Sequence, residues 1–194
     1  MRAKYSDDTI TIYQAFNKHI TQSAIENQTF VSPPFKKERM TWIKPSFLWM
    51  MYRSGWASKE DQECILAVKI KRSGFEWALQ NSCLSHFEST VHYSYDAWKK
   101  TLKDSPVRIQ WDPEKDIFLQ SLNYRSIQIG LSGIAIENYI SDWIVSINDI
   151  TQYSKQIHQL ITDNKINQAK DLLPYEQLYP LPENIKKIIS YSPL

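Results

Sequence analysis

The residues best suited to chemistry share one face of a short aromatic stretch. Within RMTWIKPSFLWMMYRSGW, residues 39–56, Ser46, Trp49, Arg53 and Trp56 recur at helical spacing. A guanidinium grips a phosphate or carboxylate with paired hydrogen bonds, and an indole stacks on a flat base. Arg53 follows six residues, Phe47 to Tyr52, that leave no polar stripe. It is therefore expected at the end of a buried helix, where it needs an anion, a carboxylate or carbonyls. Arg39 and Lys44 add charge to the same stretch. In VRIQWD, Arg108, Gln110 and Asp112 fall on one side of a strand by its two-residue period. Arg125 opens another alternating run, RSIQIG, which also carries Gln128, and Tyr13-Gln14 comes late in an earlier one, TITIYQA. Arginines set among Trp and Tyr suit a ligand with both a phosphate and a flat base. A nucleotide cofactor and a nucleic-acid strand both fit that description. The competing account makes the same residues solvent-facing strand positions and structural ion pairs, with the aromatic stretch as core.

Other chemistries are less well supplied. Cys83-x-x-His86 with His92 offers three donors but no second Cys pair at structural-site spacing, so no metal is expected. Nothing near Cys83 marks a stabilised thiolate for a Cys–His nucleophile pair. The chain has no G-x-x-x-x-G-K-[ST], no G-x-G-x-x-G and no G-x-S-x-G, which argues against P-loop, Rossmann and hydrolase-elbow chemistry. A net charge of +2 is too mild to require nucleic acid as the partner. No apolar run approaches the ~20 residues of a membrane span, and the first residues lack the apolar core of a secretory signal. With two cysteines, Cys64 and Cys83, best read as free thiols, the expectation is a cytoplasmic protein without a membrane partner.

These residues need a scaffold. Strands are expected at Thr9 to Ala15, Cys64 to Ile70, Pro106 to Trp111, Arg125 to Gly130 and Trp143 to Ile147. Helices are expected from Asn17 to Ile25, from a Pro45 first turn to Gly55, and after a capping box at Ser73–Glu76. Further helices are expected at Trp98 to Leu102, after Ser132, after Asp149 or Thr151, and from Ile166 to Leu173. Asp112-Pro113 reads as a turn and residues 81–95 as loop. The elements mix without strict βαβ alternation, which predicts an α+β fold with a mixed or mainly antiparallel sheet. One domain, residues 1–183, is expected, followed by a tail, residues 184–194.

The strings ITIYQAF, RMTWIKPSFLWMMYRSGW, SCLSHF, SPVRIQWDPE, YRSIQIGLSG and WIVSINDIT resemble the family catalogued as domain of unknown function 4291, from about Arg2 to Pro182. That likeness implies shared ancestry and supplies no activity. The element order also resembles the ADP-ribosyltransferase fold, in which an early strand contacts the cofactor and a late strand supplies an acidic or amide catalytic residue. This chain departs from it in lacking a His-Gly pair on the first strand and in placing Gln128 where a Glu would stand. The resemblance implies an NAD-dependent ADP-ribosyltransferase-like enzyme that modifies a protein or nucleic acid. Tyr13, Gln14, Trp49, Arg53, Trp56 and Arg125 would hold NAD, and Gln128 and Asp112 would serve the chemical step. Arg39, Lys44, Arg108 and Gln110 would contact substrate. The alternative is a non-catalytic module that binds RNA or another single-stranded nucleic acid.

Overall fold

The computed structural model describes residues 1–191. In chain order its first half runs β1 (Arg2–Ala3), β2 (Thr9–Phe16), α1 (Lys18–Asn27), β3 (Thr41–Ile43), α2 (Phe47–Ser54), β4 (Cys64–Lys71), α3 (Arg72–Gln80) and β5 (Ser82–Leu84). The second half runs α4 (Tyr95–Asp104), β6 (Val107–Lys115), β7 (Ser121–Leu131), α5 (Ile134–Asn138), a turn of π-helix (Tyr139–Trp143), β8 (Ile144–Asp149), α6 (Thr151–Thr162), α7 (Ile166–Asp171), β9 (Gln177–Leu178) and α8 (Glu183–Ile188). The fold is α+β. Among the described residues no helix is long and apolar enough to cross a membrane.

Two sheets carry the molecule. The first has the order β2-β4-β8 and is antiparallel throughout. It is buried on both faces: Ile10, Ile12, Leu66, Val68 and Ile70 enter the main core, while Tyr13 and Ile65 enter a second core with α2, α6 and α7. The second has the order β3-β7-β6-β5, antiparallel except where β5 runs parallel to β6. Ile43, Ile129 and Ile109 lie in register across it and join the main core. Residues of opposite parity point the other way. Trp42, Gly130, Arg108 and Cys83 make one row of that polar face, and Gln128 pairs with Gln110 in the next. The sheets meet where Tyr13 N–H donates to Lys44 O (2.7 Å) and Lys44 N–H to Tyr13 O (3.3 Å).

The free edge of β8 is occupied by a side chain. Gln28 donates its amide to Ile147 O (3.1 Å) and accepts from Ile147 N–H (2.9 Å), as a paired strand residue would.

Several boundaries differ from the sequence reading for local reasons. α2 starts at Phe47, with Ser46 as its cap and Pro45 outside it, and ends as expected at a left-handed Gly55 (φ 58°). Ser73–Glu76 forms no capping box, because β4 runs directly into α3 and Ser73 is already inside the helix. Asp112-Pro113 is not a turn. β6 continues through both residues, and β5 has already ended its pairing at Ile109, so one edge of β6 is free at Pro113 and its missing N–H costs nothing. Residues 81–95 contain β5 and the start of α4, which Ser94 caps. Ser132 caps no helix; its hydroxyl donates to Pro106 O. The last described residues are not a loose tail, since α8 and the residue after it set Ile185 and Ile189 into the main core.

Candidate functional site

A cleft of ≈ 910 Å³ opens beside the junction of the two sheets. Its walls come from the end of β2 and the start of α1, from residues 34–44, and from Trp49, Met50 and Arg53 of α2. Gln110 and Gln128 contribute from the polar face of the second sheet. Gly130 shapes this region, because a Cβ there would lie 2.6 Å from Met40 Sδ and 3.0 Å from the Trp42 ring. The missing side chain lets Met40 and Trp42 lie close over the sheet at that point.

Lys44 is the central charge. It follows Trp42 by two residues and lines the cleft while only 4% exposed. Its Nζ sits 4.9 Å from the centroid of the Trp49 ring, a cation–π contact, and no hydrogen bond or ion pair among the described residues fixes it. Burial, with the Arg53 charge beside it, pushes the ammonium down to about 7, against a pull from Asp112. Arg53 is exposed at the end of α2 and makes no ion pair among the described residues. This corrects the expectation that burial would force an anion on it. Trp49 Nε1 is buried without a partner. The cleft thus holds two cations, Lys44 and Arg53, with no ion pair among the described residues, near the Trp49 ring.

Behind the amides lies Asp112. Gln110 Nε2 donates to its Oδ1 (3.1 Å) and Gln128 Nε2 to its Oδ2, so both oxygens are held by the cleft-lining glutamines. Gln14 also lines the cleft, but its polar atoms are spent. Its amide donates to Thr41 Oγ1 (2.8 Å) and Trp42 O (3.2 Å), and its carbonyl accepts from the Tyr139 hydroxyl (2.7 Å).

The start of α2 has the opposite character. The Ser46 hydroxyl accepts from Trp49 N–H (3.1 Å) and donates to Glu114 Oε1 (2.8 Å). Phe47 N–H donates to Glu176 Oε1 (2.8 Å), satisfying an amide that the helix itself cannot. Burial raises the Glu114 carboxyl. Burial, opposed by the Phe47 hydrogen bond and reinforced by the Glu114 charge, raises Glu176 to about 8.

Of the candidate residues, the cleft brings together Gln14, Arg39, Lys44, Trp49, Arg53, Gln110 and Gln128. The others lie elsewhere. Tyr13 is buried in the second core, edge-on to Phe47. Trp56 lies beyond the helix end at φ 56°, so helical spacing no longer places it with Trp49; it stacks on His158. Arg125 is three residues from Gln128, an odd step, so it faces away and lies over the Trp111 ring (5.4 Å). Arg108 shares the face of Gln110 but stands a row away beside Cys83, with its Nε buried and unpartnered. Sequence reasoning missed Trp42, Met40 and Phe35 in the cleft wall. Met40 and Trp42 fall inside the stretch 39–56, of which only the helical face through Ser46, Trp49, Arg53 and Trp56 and the charges Arg39 and Lys44 were singled out.

Among the described residues no group of three or more His, Cys, Asp or Glu is placed to hold a metal ion. Cys83 is buried with Sγ 3.9 Å from His92 Nε2, and burial pushes its thiol up, away from the thiolate. No curated protein matches the chain. A family model does, over residues 1–179, and the chain belongs to the family described as Domain of unknown function (DUF4291).

Proposed function

We propose that the cleft binds a phosphate-bearing nucleotide, with NAD as the ligand that suits its groups best, and that the protein is an ADP-ribosyltransferase-like enzyme acting on a protein or nucleic acid. The observation that carries this reading is the pair of cations with no ion pair among the described residues, Lys44 and Arg53, beside Trp49 in a cleft of ≈ 910 Å³. Such a volume lies at the upper end of small-molecule sites, as a dinucleotide requires. Arg53 takes the pyrophosphate. Trp42 and Trp49 offer ring faces or edges to the base. In the transfer, the bond from ribose C1′ to nicotinamide breaks with its electron pair leaving on nicotinamide. The acceptor atom then bonds to C1′ and gives up its proton. Positive charge develops on the ribose, and Asp112, held by the cleft-lining Gln110 and Gln128, is the carboxylate we assign to oppose it.

Isothermal titration with NAD, AMP and inorganic pyrophosphate tests the binding. NAD should give saturable heat, and Arg53→Ala should weaken it about tenfold, or ~1.4 kcal/mol. Nicotinamide release, measured by chromatography, should fall in Asp112→Asn. An intact protein that gives no heat with any of the three ligands sinks the reading.

One observation favours a second reading, a module for single-stranded RNA. Lys36 and Arg39 are exposed on the cleft wall and extend the charge of Lys44 and Arg53 outward. Binding of a short RNA should then weaken steeply with salt, and Trp49→Ala should cost about 1–3 kcal/mol. Salt-insensitive or absent binding removes it.

A further inference from the structure

We propose that Lys44 is a nucleophilic amine, and that the cleft takes small phosphorylated aldehydes or ketones as imines on its Nζ. The inference goes beyond nucleotide binding and does not require it. Its foundation is placement. An amine 4% exposed lines an open cleft, rests against an indole face, and has no acceptor or carboxylate bonded to it among the described residues. A structural lysine at that depth would be paired, because an unpaired buried charge is costly. Lys44 has instead a second cation, Arg53, from the end of α2. Desolvation together with a neighbouring cation is how proteins make a lysine amine nucleophilic. The pressure on the Lys44 ammonium, down to about 7, has those two causes in that order. Arg53, exposed and unpaired, is then free to hold the phosphate of the carbonyl compound. The groups acting on the amine are therefore Arg53 from α2 and Asp112 from β6, the latter held by Gln110 and Gln128.

The step balances without an external oxidant or reductant. The Nζ lone pair bonds to the carbonyl carbon while the carbonyl π pair moves to oxygen. One proton passes from nitrogen to that oxygen, giving a carbinolamine. The hydroxyl takes a further proton from solvent and leaves as water as the nitrogen lone pair forms the C=N bond of the protonated imine.

The test uses the full chain near pH 7 with pyridoxal 5′-phosphate as a phosphorylated aldehyde and pyridoxal as its counterpart without phosphate. Borohydride trapping and peptide mass spectrometry then locate the reduced adduct. Lys44 should be labelled at least about tenfold faster than the exposed Lys59 and Lys99, since near its depressed pKa a large share of it is the free amine. Lys44→Arg should remove that adduct with circular dichroism unchanged, and Arg53→Ala should abolish the preference for the phosphorylated aldehyde. In urea the preference for Lys44 should vanish, tying it to the folded cleft. Lys44 labelling no faster than Lys59 and Lys99 in the folded protein overturns the proposal, as does equal reactivity toward both aldehydes. Fast labelling that NAD does not protect sustains the amine and counts against the nucleotide reading alone.

Discussion

The acidic cap of α2 and its cleft-lining side handle charge in contrasting ways. At the start of α2, Glu114 and Glu176 are raised toward neutrality, yet they accept hydrogen bonds from donors that need them, among these the Ser46 hydroxyl, the Lys115 N–H and the Phe47 N–H. On the side of α2 that lines the cleft, Lys44, which precedes the cap, and Arg53, from the last turn, have no such partners among the described residues. Both regions bury ionisable groups, and burial alone disfavours the charged form of each. What separates them is completion. The acidic cap spends its acceptors on donors that fix a helix, whereas the basic side leaves its donors open, which is what a binding site for an anion requires.

The comparison breaks most visibly through Glu114→Ala. Removing that carboxylate strands the Ser46 hydroxyl and the Lys115 N–H, and stability should fall by about 2–4 kcal/mol in urea denaturation at neutral pH. A loss below about 1 kcal/mol would mean that the acidic end does not anchor α2. Lys44→Met should act in the opposite direction. The folded-state pKa of Lys44 lies below its unfolded value of 10.5, so between about 7 and 10.5 the unfolded chain binds more protons and stability rises with pH. At pH 6 the full cost of the buried charge is present, and Lys44→Met should stabilise by about 1–2 kcal/mol. That gain should shrink as pH climbs toward 10.5; a gain independent of pH would mean that the amine is not burdened by burial. At pH 4 the smallest effect belongs to Glu176→Gln, which keeps an acceptor for Phe47 N–H. Glu176 is raised to about 8, so the folded state holds its proton after the unfolded chain has released it, and its contribution to stability is lost as pH rises from 4.5 to 8. The variant should remove that pH dependence, which for the full shift amounts to as much as about 4–5 kcal/mol across the window, read from thermal melts. An unchanged slope would assign the titration elsewhere.

How much of this could be read in advance depended on the range of the interaction. The alternation in VRIQWD is local and put Arg108, Gln110 and Asp112 on one face, but the register that sets Gln128 against Gln110 joins two strands and was not legible. The same rule, applied strictly, would have sent Arg125 to the opposite face. Gly55 correctly marked the end of α2, but helical spacing was carried one step past it to Trp56. β5 is three residues long and exists through its parallel pairing with β6, so its own sequence carries almost no strand signal. The acidic end of α2 was invisible because Glu114 and Glu176 come from segments far apart in the chain, and neither has a neighbour that signals burial. Lys44 was seen as a charge; its depth, and hence its chemistry, follows from the junction between the two sheets.

The amide of Gln28 on Ile147 has a consequence for the protein in concentrated solution. The outer edge of β8 would otherwise offer a backbone donor and acceptor to any strand that approached, including the same strand of another molecule. Gln28 occupies both, on a left-handed residue at the end of α1 that holds it in place. A single side chain thus finishes the sheet and blocks self-pairing at that point.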